Sequence, residues 1–535
     1  MRVELEISGM TCDACAQHGL EAAGARDVQV DRRAGRARAS AEGLDAPALA
    51  SALDGTKYGV ERIAEERIAD DTDPGEHDYD LAIVGSGGGA FAAAIRARDK
   101  GLRVVMIERG TVGGTCVNVG CIPSKALLAA AAARHGAGDD RFPGISTQAG
   151  PVHFAALIAG KREIVEGLRQ EKYIDLADEY GFEVIEGDAR FVEGPALEAD
   201  GRVIDAAHYL VATGAEPHVP DIPGLADSGY LTSTTAMELD HLPASMLVIG
   251  GGYVAMEQAQ LFAHLGSTVT IIVRSRLARQ EEPEVADGIR KAFIGEGIAV
   301  IEGAQPKAVR REGDEVVVVT GECELRAERL LVAAGRSPRT RGLGLKQVGV
   351  QLGAAGEVLV DADMSTGNQR IWAAGDVTGH PQFVYVAARH GALAVDNAFD
   401  GAARRVDYRA LPRITFTSPT IASAGLTEGE AQQQGMETDS RVLELSNVPR
   451  AIVSRNTRGV VKLVTERDSG RVIGVHLLAD GAGDAILAGV YAIEAGLTVD
   501  QLAGSWNPYL TVGEAIHLAA QSFTRDPSKL SCCSA

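Results

Sequence analysis

Cys116 and Cys121 are separated by four residues in Gly113-Gly-Thr-Cys116-Val-Asn-Val-Gly-Cys121-Ile-Pro-Ser-Lys125. Pro123 suits the first turn of a helix, which puts Cys121 at its N-terminus, where partial positive charge favours a thiolate. The flanks are glycines and polar residues rather than apolar ones, so a buried packing pair is a poor explanation. Two thiols at this spacing can cycle as dithiol and disulfide beside an electron-carrying cofactor. Two further pairs occur: Cys12 and Cys15 in Gly9-Met-Thr-Cys12-Asp-Ala-Cys15, and Cys532 and Cys533 on a polar tail. Soft thiolates so close together can converge on one soft metal ion, which makes Cys12, Cys15, Cys532 and Cys533 candidate metal ligands. Cys323 has no partner and matches no motif, so no role is assigned to it. Seven cysteines in 535 residues are too few for a disulfide framework, and their pairing points to redox or metal chemistry.

Nucleotide sites are written in the glycines. Leu81-Ala-Ile-Val84 runs into Gly85-Ser-Gly87-Gly-Gly-Ala90, and Glu108 ends the next apolar strand, Val104-Val-Met-Ile107. The glycines let backbone approach a pyrophosphate at a helix N-terminus, and an acid in that position can accept hydrogen bonds from an adenosine ribose. The same logic recurs at Gly250-Gly-Gly252-Tyr-Val-Ala255 after Met246-Leu-Val-Ile249, but there the second strand, Val269-Thr-Ile-Ile-Val273, ends in Arg274-Ser-Arg276 without an acid. Arginines in this position favour a 2′-phosphate, hence NADPH over NADH; the plainer reading makes both of them solvated surface charges.

These sites need several domains, and the length allows three or four. Residues 1–68 alternate as strand, helix, strand, strand, helix, strand, a ferredoxin-like βαββαβ pattern, followed by an acidic Pro-Gly linker at 69–78. Two strand–turn–helix starts imply two Rossmann-like α/β domains, and after Leu411-Pro412 the pattern changes to a third large domain of α+β type. A net charge of −21 disfavours nucleic acid and anionic lipid as partners. The apolar run Ala126–Ala133 stops at Arg134, too short to span a bilayer, so no membrane insertion is expected. The first residues lack the apolar core of a secretory signal, which makes the cytoplasm the expected location.

Cys116-x4-Cys121-Ile-Pro-Ser-Lys, Ala212-Thr-Gly214, Gly335-Arg336 and Ala374-Gly-Asp376 together resemble the pyridine nucleotide–disulfide oxidoreductase family from residue 79 to about 525. The resemblance implies FAD in a domain of residues 79–225 and 345–410, NADPH in 226–344, and dimerisation through 411–535. It implies that Asp376 holds the FAD ribityl chain, that Lys125 and Glu257 sit beside the flavin ring, and that Gly114, Thr115 and Gly214 contact the cofactor. The segment around Cys12 and Cys15 resembles the heavy-metal-associated domain of copper chaperones and transporting ATPases.

Members of the family that act on dithiols place a histidine in the C-terminal active-site segment, because thiol exchange needs a base. Here Trp506-Asn-Pro-Tyr509-Leu-Thr-Val-Gly-Glu514 has Tyr509 in that place, although Glu514 remains. A phenol, with an ordinary pKa of about 10, is a poor base at neutral pH, but its oxygen can hold a metal ion. With three cysteine pairs, the chain resembles the branch of the family that reduces mercuric ion. That resemblance implies thiol adducts of Hg(II) as substrate, bound at Cys116 and Cys121 with Tyr173 and Tyr509 nearby. Delivery would fall to Cys12 and Cys15 or to Cys532 and Cys533. It also implies a homodimer in which Tyr509 and the Cys532/Cys533 tail of one subunit complete the active site of the other, and an upstream mercury transporter. Two other readings stand beside it: a lipoamide or glutathione reductase with an appended metal domain, and a metal-delivery protein, for Cu(I) among others, whose flavoprotein body keeps thiols reduced.

Overall fold

Tyr79-Asp-Leu-Ala-Ile-Val84 and Val104-Val-Met-Ile-Glu108 are nearly continuous apolar runs, which is what strands covered on both faces require. In the computed structural model they are neighbours in a five-stranded sheet ordered Ile371–Ala373, Ala206–Val211, Tyr79–Val84, Val104–Glu108, Glu183–Glu186, with every pairing parallel. The structure describes residues 2–8, 26–31, 36–40, 59–66, 77–321 and 323–526. The chain divides into two units, Met1–Asp78 and Tyr79–Ala535.

The first unit holds a four-stranded sheet of Arg2–Ser8, Arg26–Asp31, Arg36–Ser40 and Gly59–Glu66, with Arg36–Ser40 and Arg2–Ser8 at its centre. Adjacent strands are antiparallel. The two helices expected between these strands, with Cys12 and Cys15, lie outside the described residues, as does the linker at 69–76. Cys532 and Cys533, expected as metal ligands and as part of the catalytic machinery, lie outside the described residues too.

In the second unit the second glycine turn follows Ser245–Ile249, an inner strand of a four-stranded parallel sheet completed by Ala299–Glu302, Thr268–Val273 and Arg329–Val332. The C-terminal part builds a five-stranded antiparallel sheet from Pro412–Thr415 to Val472–Ala479, covered by helix Ala482–Glu494. Two three-stranded antiparallel sheets, Arg190–Ile204 and Ala308–Ala327, had no counterpart in the sequence reading; their strands of three to five residues are too short to show a clear period.

Helix Cys121–Ala137 ties these parts together. Its Leu127 and Ala131 share one apolar core with Ala255 and Ala259 of helix Tyr253–Leu265 and with Ile421, Val460 and Leu478 of the C-terminal sheet. By length and composition the segment Gly114–Ala137 would suit a membrane crossing, unlike the shorter run read from sequence. It is broken at Val119 and Gly120, and its buried face packs on protein. The core fixes where Cys121 points relative to both nucleotide-binding turns.

Candidate active site

Gly85 turns the chain from strand to helix. Its φ is +104°, and a Cβ there would lie 2.5 Å from the Ala212 carbonyl oxygen, so only glycine fits. The turn recurs at Gly250, against Ala333. Gly87 and Gly252 cap helices Gly88–Asp99 and Tyr253–Leu265 with no side-chain hydrogen bond and no acid in the first turn. Both helix N-termini therefore present free N–H groups and positive dipole ends to an anion. Ala90 is fully buried beneath the first turn. Glu108 accepts from the Ser86 hydroxyl at 2.6 Å and the Gly110 N–H at 2.8 Å, and Ser86 in turn accepts from the Gly113 N–H at 3.1 Å. Ser86 thus couples the glycine turn, the acid and the cysteine segment.

Cys116 lies on the short helix Gly114–Asn118, and Cys121 is the first residue of Cys121–Ala137, as Pro123 had indicated. The pair lines a cavity whose wall also includes Gly87, Thr115, Lys125, Gly214, Glu257 and Asp376. The Cys116 thiol hydrogen-bonds to Cys121, and this contact, with the Lys125 ammonium behind it, pulls Cys121 down to about 7 against the opposing effect of burial. The same contact and burial push Cys116 up. Cys121 is therefore the thiolate and Cys116 the proton-bearing partner. Lys125 Nζ is 2.7 Å from Glu257 Oε2, and the other Glu257 oxygen accepts from the Phe416 N–H at 2.9 Å. Glu257 is buried, and Lys125 also lies 4.6 Å from the centre of the Phe416 ring.

The sign of the Cys121 shift sets a pH profile. Thiolate is present above about 7 and is lost as pH falls through that value. Alkylation of the reduced protein by iodoacetamide is expected to follow this curve, with the midpoint moved upward in Lys125→Met because a cation that lowers it is gone. A midpoint indifferent to Lys125→Met would contradict this electrostatic account.

Asp376 faces the same cavity with Arg336 Nε 3.5 Å from its carboxylate, while burial raises its pKa. Arg274 is exposed immediately after strand Thr268–Val273, and half-buried Arg276 donates to the Glu281 carbonyl at 3.2 Å. Tyr173 sits in a π-helical turn, Gln170–Ile174, packed edge-on against Phe91 at 4.8 Å. Burial, then the charges of Cys116 and Cys121, push its phenol up, so it stays neutral within electrostatic reach of the pair. Tyr509 is not among the described residues lining this cavity: it lies on an exposed loop, 52% accessible, where the Leu510 N–H donates to Glu514 at 3.1 Å. Within one chain, then, the structure gathers Cys116, Cys121, Lys125, Glu257 and Asp376 but not Tyr509. Four expected metal ligands, Cys12, Cys15, Cys532 and Cys533, fall outside the described residues and are not counted in that group.

Tyr253, Arg336 and Ser86 were not singled out as site residues from sequence. Tyr253 lines the cavity and burial raises its pKa. Its position directly after the Gly250-Gly-Gly252 turn was the available signal, as was the Gly335-Arg336 dipeptide for Arg336.

Over residues 79–391 the chain matches the pyridine nucleotide-disulphide oxidoreductase family, and over 411–520 that family's dimerisation domain. A protein named mercuric reductase from Streptomyces lividans is 59% identical over 465 residues, covering 85% of this chain and 98% of its own length. Another of that name, from Lysinibacillus sphaericus, is 44% identical over 542 residues and 99% of each chain. Among solved structures, the HOCl-induced flavoprotein disulfide reductase RclA from Escherichia coli superimposes with a TM-score of 0.76 at 30% identity, over 84% of this chain and 100% of its own.

Proposed function

The chain belongs to the pyridine nucleotide-disulphide oxidoreductase family, and from that premise we propose that it is an FAD-dependent mercuric reductase, oxidising NADPH and reducing thiol-bound Hg(II) to Hg(0). The observation that carries the reading is the pair Cys116 and Cys121, with Cys121 drawn down to about 7, on a cavity that both glycine turns and the Lys125–Glu257 pair address.

The residues present fit the cofactor. The uncapped N-terminus of Gly88–Asp99 suits a pyrophosphate, Glu108 an adenosine ribose, and Asp376 a ribityl chain. Thr115 and Gly214 line the same cavity, and Gly114 lets the cysteine segment pack directly on Gly87, where a Cβ would lie 2.5 Å from the Gly87 Cα. Bound FAD supplies the two-electron conduit between nicotinamide and dithiol. The N-terminus of Tyr253–Leu265 takes the second nucleotide, with Gly250 and Gly252 in its turn, and Arg274 and Arg276 receive a 2′-phosphate.

Mercuric ion enters by ligand exchange. The Cys121 thiolate forms one S–Hg bond as a carrier thiolate leaves. Cys116 then gives its proton to a second departing thiolate and forms the other S–Hg bond. Two electrons from NADPH convert the bound ion to Hg(0), and the other products are NADP⁺ and a proton. Lys125, held by Glu257, keeps cationic charge beside Cys121 throughout. Neutral Tyr173 supplies a phenol oxygen near the pair.

The finer reading extends beyond one chain. The dimerisation domain pairs two copies, and Tyr509 with Cys532 and Cys533 of one subunit completes the site of the other, which accounts for a tyrosine placed on an exposed loop away from its own cavity. Cys532 and Cys533 take this role from their sequence alone, as adjacent soft ligands on a polar tail. Residues 1–68 act as a heavy-metal-associated domain holding Hg(II) at Cys12 and Cys15, a reading supported by the strand order of the first sheet, and 69–78 form its tether. The remaining domains follow the limits given above. The reaction takes place in the cytoplasm, downstream of a mercury transporter.

A parallel assay separates this reading from its rivals. NADPH oxidation is expected with Hg(II) in excess small thiol and not with lipoamide or glutathione disulfide. The reverse pattern would assign the protein to disulfide reduction, and Cu(I) binding without metal-dependent NADPH oxidation would assign it to metal delivery.

A further inference from the structure

Asp376, which faces the active-site cavity, sits on the 3₁₀ turn Gly375–Thr378, and three side chains join the two ends of its segment. The Gly375 N–H donates to His390 Nδ1 at 3.3 Å, His390 Nε2 is 2.6 Å from the Tyr408 hydroxyl oxygen, and that oxygen is 3.1 Å from His380 Nδ1. The series of hydrogen bonds leaves the chain immediately before Asp376 and returns to it just beyond, at His380. None of the three side chains lines the cavity itself.

His390 is fully buried on helix Val384–Asp400. That helix is fixed on the first nucleotide-binding helix, Gly88–Asp99: a Cβ at Gly391 would run into the Gly89 carbonyl oxygen, so the two backbones touch beside the imidazole. Nδ1 is therefore a fixed point to which the Gly375 peptide is held. The donors settle where the protons lie. A backbone N–H can only donate, so His390 Nδ1 is an acceptor and the ring proton is on Nε2. Tyr408 accepts from that Nε2–H and donates its own hydroxyl to His380 Nδ1. A protonated His390 would set one N–H against another at Gly375; burial, then His380, hold the ring down to about 4 and keep it neutral. Burial pushes Tyr408 up to about 12, so its hydroxyl keeps the proton it donates.

We infer that His390 is a positioning residue for the flavin: with its tautomer set by Tyr408 and His380, it holds the Gly375 N–H, and through it the Asp376 carboxylate, where the FAD ribityl chain requires it. The inference rests on the reading that FAD occupies this cavity. In the empty protein the turn can relax and give the Gly375 N–H to water, whereas the loaded protein needs the turn in place. Loss of the acceptor is therefore felt as weaker flavin binding.

The two ring nitrogens can be replaced one at a time. Asparagine keeps an acceptor oxygen in the place of Nδ1; glutamine keeps a donor nitrogen in the place of Nε2 and leaves Gly375 without its acceptor. Full-length holoenzyme of each variant is diluted in steps and the freed flavin is measured by fluorescence after ultrafiltration, with melting of the loaded protein reporting the fold. His390→Gln is expected to release half its flavin at a concentration at least about fivefold above that for wild type, and His390→Asn within about twofold of it. Tyr408→Phe, at a half-buried position, keeps the imidazole but frees its tautomer, and should weaken flavin binding at least about twofold. The same change in a His390→Asn background should do nothing further, because an amide has no tautomer to set. This last comparison stands even if His390→Gln does not fold. Flavin held as tightly by His390→Gln as by wild type, His390→Asn no better than His390→Gln, or a Tyr408→Phe effect that persists with His390→Asn would overturn the role of His390. Wild type that binds no FAD would overturn the cofactor reading, and this inference with it.

Discussion

Replacing Cys121 with Ser is expected to lower Hg(II)-dependent NADPH oxidation by at least about 10³-fold, equivalent to about 4 kcal/mol of barrier, while flavin stays bound. Serine keeps the shape of the side chain but offers no thiolate near neutral pH and no soft ligand. The cavity wall, both glycine turns and the Lys125–Glu257 pair are untouched by the change, so the loss reads chemistry rather than folding. Cys116→Ser should lose comparable activity by a different route. It deletes the second sulfur ligand, and the hydroxyl that replaces the thiol still donates towards Cys121, whose pKa owes most to that hydrogen bond. Steady-state rates on the two purified variants decide the matter, and activity within tenfold of wild type in either would remove the dithiol from the mechanism.

The second large effect is expected at Glu257. Its buried carboxylate accepts from both Lys125 and the Phe416 N–H, and leucine in its place strands a half-buried ammonium and an amide. Removing one partner of such a pair costs about 3 kcal/mol, so Glu257→Leu should unfold at clearly lower denaturant concentration. Glu257→Gln keeps an acceptor for Phe416 without the charge and should recover part of the loss. Reduction of Hg(II) should fall in both, since Lys125 is no longer fixed beside Cys121. Unchanged unfolding of Glu257→Leu would mean that the pair contributes nothing to the fold.

What could be read from the sequence was what lies close together in it. The segment of Cys116 and Cys121, the two glycine turns and the acid at the end of the following strand are each local patterns with a physical reason for their spacing. Continuous apolar runs gave away the parallel strands, and Pro123 the start of the helix at Cys121. What escaped depends on contacts between distant residues. Glu257 is tied to Phe416, 159 positions away, and Asp376 to Arg336 on a separate strand. Tyr173 reaches the cysteines through a π turn that no periodicity announces. Tyr509 is different: the resemblance assigns it to the other subunit's site, and one chain alone carries it on an exposed loop away from its own cavity.

The same dependence makes the composite site testable. Co-expression of a Cys121→Ser subunit with a Tyr509→Phe subunit is expected to give heterodimers more active than either parent homodimer, since one of the two shared sites then contains both native residues. Activity in the mixed dimers no higher than in the parents would place Tyr509 outside the partner's site.

The most direct measurement of the central claim is the mercury itself. Purified protein with FAD, NADPH and Hg(II) in excess small thiol should release volatile Hg(0) into a swept headspace, with one atom trapped for each NADPH oxidised. NADPH consumed, or metal bound, without volatile mercury would contradict the account.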